Sequence, residues 1–334
     1  MVTENEPLVR KFPLGAKKIE GIIKMVPISE LKSGKIDKNS FEISHAIVAY
    51  LDILGFSNKK DETDIENCLL DYTGSLIITS HYYPKIRFNI FSDCAFISTS
   101  LENAADLLSA LRFAFNQLIA ECILVRGGLS LGTYNEIRSS AQEKASSNIN
   151  CSMFSGSGVV RAVKLEESGP GAFLFTNDEC AEFYSKNYGE PIISLDDRKI
   201  LGWATDESSL INFISASLLR LLKLLSVEDG VDNKPVIQKF VNNIRYAFTI
   251  CEEPLFALEI IKLVLSLPII SEELRQKVLL EIGINNIQLL PDEKVDEWLQ
   301  KDNFRIFIAL ADSDSSLPIS PLLGDIIKPY RKQD

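Results

Sequence analysis

The sequence predicts a mixed α/β domain followed by a helical C-terminal region, and three observations lead to this prediction. An unbroken apolar run at residues 46–51 is typical of a strand that is buried on both faces. Strand and helix patterns then alternate as far as residue 176. After Trp203, the apolar residues keep helical spacing only. The order of the first elements favours a split βαβ, ferredoxin-like α/β sandwich with an all-α C-terminal extension.

Each element of the α/β part has its own local signal. Acidic residues from Asp61 onward suit a helix N-terminus, and the pair Ser92-Asp93 favours the turn of a hairpin. Residues 133–157 are polar and rich in Ser and Asn, which predicts a long loop. In chain order we predict a strand at 46–52, a helix at 61–80, a hairpin at 85–98, a helix at 107–122, a strand at 123–131, a helix at 158–167 and a strand at 172–176.

The chain divides into three predicted regions. Residues 1–43 are mixed in composition and form an irregular N-terminal arm, and residues 44–204 form the α/β domain. Residues 205–334 form a mainly helical extension, whose apolar stripe suits a core or a dimer contact. Its predicted helices lie at 210–225, 234–250, 254–266 and 271–284.

The net charge and the histidine content restrict which kinds of functional site the chain can contain. The 35 Lys and Arg against 46 Asp and Glu give a net charge of −11, which argues against a protein that coats nucleic acid. The two histidines, His45 and His81, are too few for a His-rich zinc site and disfavour a Ser-His-Asp triad. Chemistry must therefore use carboxylates, Lys, Arg or a metal that is held by oxygen ligands.

The sequence also predicts a cytoplasmic protein without a membrane span. The apolar stretch 256–270 is interrupted by Glu259, Lys262 and Pro268, and the N-terminus has no signal-peptide pattern. The six cysteines form no CxxC motif, so we expect free, mostly buried thiols.

Two aspartates are the first candidates for a functional site. Asp52 ends the buried strand, and Asp93 lies at the tip of the predicted hairpin. Strand alternation places Tyr50 on the same face as Asp52. If the strand pairs beside the hairpin, both carboxylates meet at one sheet edge, where a divalent metal would relieve their repulsion. The alternative is that each aspartate merely caps a turn.

Four motifs resemble the catalytic domain of class III nucleotidyl cyclases over residues 44–180. They are LDILGFSN, FSDCAFIS, VRGGLSLG and SGSGVVRAVKLEE, in the order that the family has them. The resemblance implies that Asp52 and Asp93, assisted by the carbonyl of Ile53, hold two Mn²⁺ or Mg²⁺ ions. One ion would activate the ribose 3′-hydroxyl, and the other would bind the triphosphate.

The same resemblance implies further substrate contacts. Gly55, Phe56 and Ser57 would open the following helix, so that their N–H groups cradle phosphate. Arg126 would either hold the phosphates or support the fold. The family's active sites are built at a homodimer interface, with the metal aspartates from one chain and a transition-state cation from the other.

Several positions depart from the purine cyclases of that family. In those cyclases a Lys and an Asp together recognise adenine. Asn89 occupies the position of that Lys, and Met153 occupies the position of that Asp. Val160 replaces the ribose-positioning Asn, and Lys164 replaces the transition-state Arg. Transition-state stabilisation would then come from Lys164, from Arg161 one turn earlier, or from both.

An RA…LE sequence together with GGxSxG is similar to the bacterial pyrimidine cyclases of Pycsar phage-defence systems. This resemblance implies conversion of UTP or CTP to the cyclic monophosphate, which switches on a separate effector protein. Tyr50 would take the volume of a second purine ring, and Asn89 would pair with the base. The alternatives are a catalytically inactive cyclase-like module that senses a nucleotide or dimerises, and a purine cyclase with an unusual base site.

Overall fold

A computed structural model describes ten stretches of the chain, separated by short gaps. They are residues 41–56, 62–121, 123–138, 152–195, 197–204, 207–226, 234–250, 254–267, 270–284 and 288–291. The predicted arm at residues 1–43 lies outside them, except for its last three residues, which begin the first strand.

One sheet contains the eight strands of the described residues, and it begins as a split βαβ unit. The strands are β1 (Phe41–Ile53), β2 (Arg87–Phe91), β3 (Cys94–Ser100), β4 (Val125–Arg138), β5 (Ser152–Ser155), β6 (Leu174–Thr176), β7 (Ile192–Leu195) and β8 (Arg198–Leu201). Their order in the sheet is β2-β3-β1-β4-β6-β8-β7, with β5 paired to β4. The pairs β1–β3, β1–β4 and β2–β3 are antiparallel, whereas β6 runs parallel to β4.

Helices connect these strands and then form the C-terminal region. Asn177 and Ser271 each cap a helix N-terminus by accepting a backbone N–H bond with the side chain. The helices are α1 (Glu62–Tyr82), α2 (Ala104–Ala120), α3 (Ser157–Glu166), α4 (Asp178–Tyr188), α5 (Glu207–Ser226), α6 (Lys234–Ile250), α7 (Pro254–Ser266) and α8 (Glu272–Ile282).

The predicted fold class is confirmed. The order β1-α1-β2-β3-α2-β4 and the sheet order β2-β3-β1-β4 are those of a ferredoxin-like split βαβ, and helices follow residue 205. The long loop predicted at 133–157 is wrong in part, because β4 continues to Arg138 and β5 begins at Ser152. The polar composition did not prevent a strand, since β1 supplies backbone partners as far as Glu136. Helix α4 and the hairpin β7–β8 were not predicted.

The two faces of β1 have different partners. Ile47, Ala49 and Leu51 point to the large core that α1 and α2 cover, whereas Val48 packs with Val159 and Ala162 of α3. Helix α3 approaches the sheet very closely at Gly128, where an added Cβ would lie 2.0 Å from the carbonyl oxygen of Ala162. The glycine of the VRGG motif therefore permits α3 to dock.

The C-terminal helices share the core of the sheet. The ring of Trp203 stacks on Phe115 of α2 at 4.3 Å, and its indole N–H donates to the carbonyl of Ala172 at 3.1 Å. Phe213 of α5 and Tyr246 of α6 continue this packing. Core contacts therefore cross the predicted boundary at residue 204.

One helix in the described part of the chain, α5, is long and apolar enough to cross a membrane. The sequence predicts this helix at residues 210–225, but the expectation that no segment could span a membrane did not take its hydropathy into account. In the structure, 72% of the stretch from Ser209 to Ser226 is buried inside the protein. Its apolar character is explained by packing against α2, α6, α7 and α8.

We expect Trp203→Ala to lower the free energy of unfolding by about 3–5 kcal/mol, since it removes a stacked ring and leaves a cavity. Chemical denaturation followed by circular dichroism measures this change. The control Leu255→Ala truncates a side chain that is 71% exposed, and it should change stability by less than about 0.5 kcal/mol. Equal effects of the two substitutions would contradict the structural role of Trp203.

Candidate active site

The structure brings Asp52 and Asp93 together, as the sequence predicted. Asp52 lies opposite Cys94 in the pairing of β1 with β3, and Asp93 directly precedes Cys94 in the hairpin turn. The backbone N–H of Ile53 donates to the carbonyl of Asp93 at 3.0 Å. Ser92 permits this tight turn by adopting a φ of 50°. Both carboxylates therefore belong to one edge of the site.

Asp52 lies in a half-buried, acidic environment. Burial, followed by the charges of Glu166 and Asp93, raises its pKa to about 6. Arg126 and Lys239 act in the opposite direction. A carboxylate with this pKa is destabilised in its charged form, so a cation at this position would be favourable.

Arg126 is the best-supported cation of the site. Its guanidinium forms an ion pair with Glu166 of α3 and donates to the carbonyl of Gly169 at 3.2 Å. The two side chains are 16% and 4% exposed. Burial raises the pKa of Glu166, while Arg126 opposes that change. These contacts are those of a residue that supports the fold, and its predicted phosphate role stays a prediction.

Tyr50 and Asn89 lie in one row across the sheet. Asn89 pairs with Phe96, and Phe96 pairs with Tyr50, so all three side chains share a face. The half-buried Tyr50 ring lies 4.9 Å from Phe96, and burial raises the pKa of its hydroxyl. The side-chain amide of Asn89 donates to the hydroxyl of Tyr134 at 2.7 Å. This bond fixes the orientation of the Asn89 side chain. It uses the side-chain nitrogen of Asn89 and not the side-chain carbonyl oxygen.

An aromatic cluster surrounds this row, and the sequence analysis missed it. The ring of Phe154 lies 4.9 Å from Phe91 and 5.5 Å from Phe96. Phe96 alternates with the buried Ala95 and Ile97 along β3, and this alternation would have indicated its face. Phe154 gave no signal, because it comes from the segment that was predicted to be a loop.

Arg161 and Lys164 lie on the exposed side of α3, away from its buried contacts with the sheet. Arg161 donates to the carbonyl of Leu131 at 3.2 Å and to the carboxylate of Glu179 at 3.3 Å. Val160 is 53% exposed on the same helix. Within one chain, these residues do not join the pair of aspartates.

The structure describes Gly55 and Phe56, but the residues that follow them, 57–61, lie outside the described part of the chain, so the predicted phosphate cradle stays a prediction. Helix α1 begins at Glu62, and Gly55 lies in a turn with a φ of 80°. The apolar strand ends at Ile53, and the acidic Glu62 and Asp64 lie in the first turn of α1, where negative charge favours a helix N-terminus.

The donor set at this edge suits a hard divalent cation. It consists of two carboxylates, Asp52 and Asp93, with the backbone carbonyl of Ile53 next to them. Among the described residues, no group of three or more His, Cys, Asp or Glu side chains could hold a metal. Mg²⁺ usually keeps several water ligands and binds through one or two carboxylates together with substrate phosphates. The raised pKa of Asp52 fits such a site.

Lys239 of α6 is a further charged group near the site, and sequence reasoning missed it. It lies within electrostatic reach of Asp52, Glu166 and Arg126. No local pattern could have indicated this position, because Lys239 belongs to an amphipathic helix in the C-terminal region.

No protein-family model and no curated protein matches the chain. Solved structures that resemble it are cyclase domains. The guanylyl cyclase domain of the RhoGC fusion protein from the aquatic fungus Blastocladiella emersonii is 13% identical, with 48% of this chain and 95% of that chain covered and a TM-score of 0.37.

Two further structures give similar values. The adenylyl cyclase CyaB from P. aeruginosa is 13% identical, with 48% of this chain and 93% of that chain covered and a TM-score of 0.36. The guanylate cyclase domain of RhGC from Catenaria anguillulae, in complex with GTP, is 16% identical, with 48% and 94% covered and a TM-score of 0.37. At such values the function has to be inferred from this chain's own residues.

We expect Asp52→Asn to stabilise the metal-free protein at neutral pH by about 1–2 kcal/mol, after allowance for solvent screening. The folded pKa of about 6 exceeds the ordinary value of 3.8, so the folded state binds the proton more tightly. Stability contributed by the protonated carboxyl is therefore lost as the pH rises from about 4 to 6. Thermal unfolding without divalent ions, between pH 4 and pH 8, measures the difference.

The control for this experiment is Asp106→Asn, which neutralises an exposed acid on α2. It should leave the pH profile close to that of the wild type. A lower unfolding temperature of Asp52→Asn at pH 7.5 would contradict the electrostatic description of the site.

Proposed function

We propose that the chain is a nucleotidyl cyclase, which converts UTP or CTP to the 3′,5′-cyclic monophosphate and pyrophosphate. The observation that carries this proposal is the juxtaposition of Asp52 and Asp93 at one edge of a split βαβ sheet. Two nearby carboxylates in a half-buried environment fit the two-metal chemistry that the motif resemblance implies.

Asp52, Asp93 and the carbonyl of Ile53 would hold the Mn²⁺ or Mg²⁺ ions. When bound, these ions would lower the pKa of the ribose 3′-hydroxyl and neutralise phosphate charge. In the reaction, the 3′-oxygen forms a bond to the α-phosphorus as the bond to the bridging oxygen breaks. The hydroxyl loses its proton, and pyrophosphate leaves. The sheet edge would orient the ribose and the triphosphate for this in-line attack.

The pyrimidine specificity is supported by the row of Asn89, Phe96 and Tyr50. Asn89 is held by Tyr134, which leaves its carbonyl oxygen to accept a bond from N3–H of uracil or the amino group of cytosine. Tyr50, packed on Phe96, restricts the space for a second ring. The structures that resemble the chain are adenylyl and guanylyl cyclases, so a purine cyclase is the alternative within the same reaction class.

We place the complete site at a homodimer interface. Lys164 is exposed on α3, and Arg161 is held by Glu179 and the carbonyl of Leu131, so Lys164 is the better candidate for the transition-state cation. A partner chain would bring its Lys164 to the metal aspartates of the first. An Arg at this position would offer a bidentate fork, whereas Lys acts as a point charge.

The biological role is proposed from the resemblance to Pycsar cyclases. The cyclic nucleotide would act in antiphage defence, in the cytoplasm, and a separate effector protein would bind it. The motifs that support this role are GGxSxG, which β4 carries, and RA…LE, which α3 carries.

A second candidate is a nucleotide-sensing module without turnover. The specific observation in its favour is the exposed Val160, which stands where the family positions the ribose with Asn. Such a module would bind the nucleotide and its metal but release no product.

We expect purified protein with Mn²⁺ to convert UTP or CTP to a cyclic monophosphate, and Asp52→Asn or Asp93→Asn to lower the rate by at least about 100-fold. Each substitution removes one negative ligand from a dication. Mass spectrometry of reactions with each of the four nucleoside triphosphates identifies the product. Asp106→Asn is the matched control and should retain the full rate.

Three outcomes of this assay would each contradict a different part of the proposal. Equal conversion of ATP and UTP would contradict the pyrimidine specificity. Turnover within a few-fold of wild type for either aspartate variant would contradict the two-metal assignment. Nucleotide binding without any product would favour the sensing module.

We expect an equimolar mixture of Asp52→Asn and Lys164→Ala chains to recover about a quarter of the wild-type activity. Each variant alone lacks one part of both sites, whereas half of the randomly formed dimers contain one intact site. Activity is measured after subunit exchange has been verified by native mass spectrometry. Absence of recovery despite exchange would mean that each site is built within one chain.

A further inference from the structure

One face of α6 is seated on the segment that leads into β6. Asn243 accepts a bond from the N–H of Ala172 at 2.7 Å, and Asn242 donates to the carbonyl of Pro170 at 3.5 Å. The ring of Tyr246 lies 4.7 Å from Phe173. These positions recur at helical spacing, and Lys239, one turn before Asn243, lies on the same face.

The same segment also contacts Arg126 and the residue that follows it in β4. The carbonyl of Gly169 accepts a bond from the Arg126 guanidinium, and the N–H of Gly127 donates to the carbonyl of Phe173 at 2.9 Å. Helix α6 and the VRGG motif are therefore joined through a few residues of backbone. This connection explains why Lys239 comes within electrostatic reach of Arg126, Glu166 and Asp52.

Lys239 differs from Arg126 in its pairing. Arg126 is bonded to Glu166, whereas no carboxylate in the described part of the chain forms a direct ion pair with Lys239. The Lys239 side chain is half-buried, and burial together with Arg126 lowers its pKa, while Asp52 and Glu166 oppose the change. A half-buried ammonium without a direct partner gains most from an anionic ligand.

We infer that Lys239, supplied by the C-terminal helical region, is a phosphate-binding residue of the candidate active site. Asp52, Asp93 and Glu166 carry three negative charges, and Arg126 and Lys239 carry two positive charges. Two divalent ions would make this cluster positive, which suits a triphosphate. The inference rests on the proposed function in that the ligand is a nucleoside triphosphate, and it makes the helical extension part of the site.

The test uses inorganic tripolyphosphate with Mg²⁺ as the probe, measured by isothermal titration calorimetry on the full chain. Lys239→Met removes the charge but keeps the aliphatic stem, and we expect it to weaken binding about tenfold. Lys239→Arg should bind within about threefold of the wild type, because it restores the positive charge. The matched control is Arg245→Met, an exposed cation on the same helix, which should leave affinity unchanged.

A second measurement needs no substitution. Acetylation of lysines followed by mass spectrometry should show that tripolyphosphate protects Lys239 but leaves the exposed Lys277 unchanged. If circular dichroism shows that Lys239→Met does not fold, this measurement alone decides whether Lys239 binds phosphate. Equal affinity of Lys239→Met and Arg245→Met, or absence of protection at Lys239, would overturn the inference.

The assay separates this inference from the proposed function. Tripolyphosphate binding that depends on Lys239, in a protein that cyclises none of the four nucleotides, would support the phosphate site and contradict the cyclase. Normal cyclase activity and unchanged KM for the nucleotide in Lys239→Met would support the cyclase and overturn the role of Lys239.

Discussion

The buried ion pair between Arg126 and Glu166 joins the parts of the molecule from which the candidate site is built. Arg126 belongs to β4, and Glu166 ends α3, so the pair fixes the helix over the sheet at the point where Gly128 permits close approach. The bond from Arg126 to Gly169 then holds the segment on which α6 is seated. Removing either charge would leave its partner buried and uncompensated, which is more costly than the absence of both. The arrangement around Asp52 therefore depends on this pair.

The concentration of carboxylates around Asp52 lowers the stability of the folded protein. Asp52 has its pKa raised to about 6 because burial and two neighbouring acids disfavour its charged form. Such a group destabilises the folded chain at neutral pH and would be relieved by a cation. Divalent ions would relieve the repulsion between these carboxylates. If the ions bind the folded state and not the unfolded state, their binding would raise the stability of the protein.

The helical region is continuous with this site rather than separate from it. Trp203, between β8 and α5, stacks on α2 and bonds to the segment before β6, and Tyr246 of α6 packs on Phe173. A change in the position of α6 would move Lys239 relative to Asp52. The extension can therefore affect the charge balance of the site through packing alone, without any change in the sheet.

Local patterns in the sequence determined the alternation of strands and helices, the hairpin at Asp93 and the four C-terminal helices, since periodicity and turn residues act between near neighbours. They predicted a shared edge for Asp52 and Asp93 only on the condition that the strand pairs beside the hairpin, and the structure supplies that pairing. Only the tertiary structure decided the partner of Arg126, the orientation of Asn89 by Tyr134, the exposed position of Arg161 and Lys164, and the approach of Lys239. Those contacts join residues that are far apart in the chain, and the packing of whole helices against the sheet sets which of them meet.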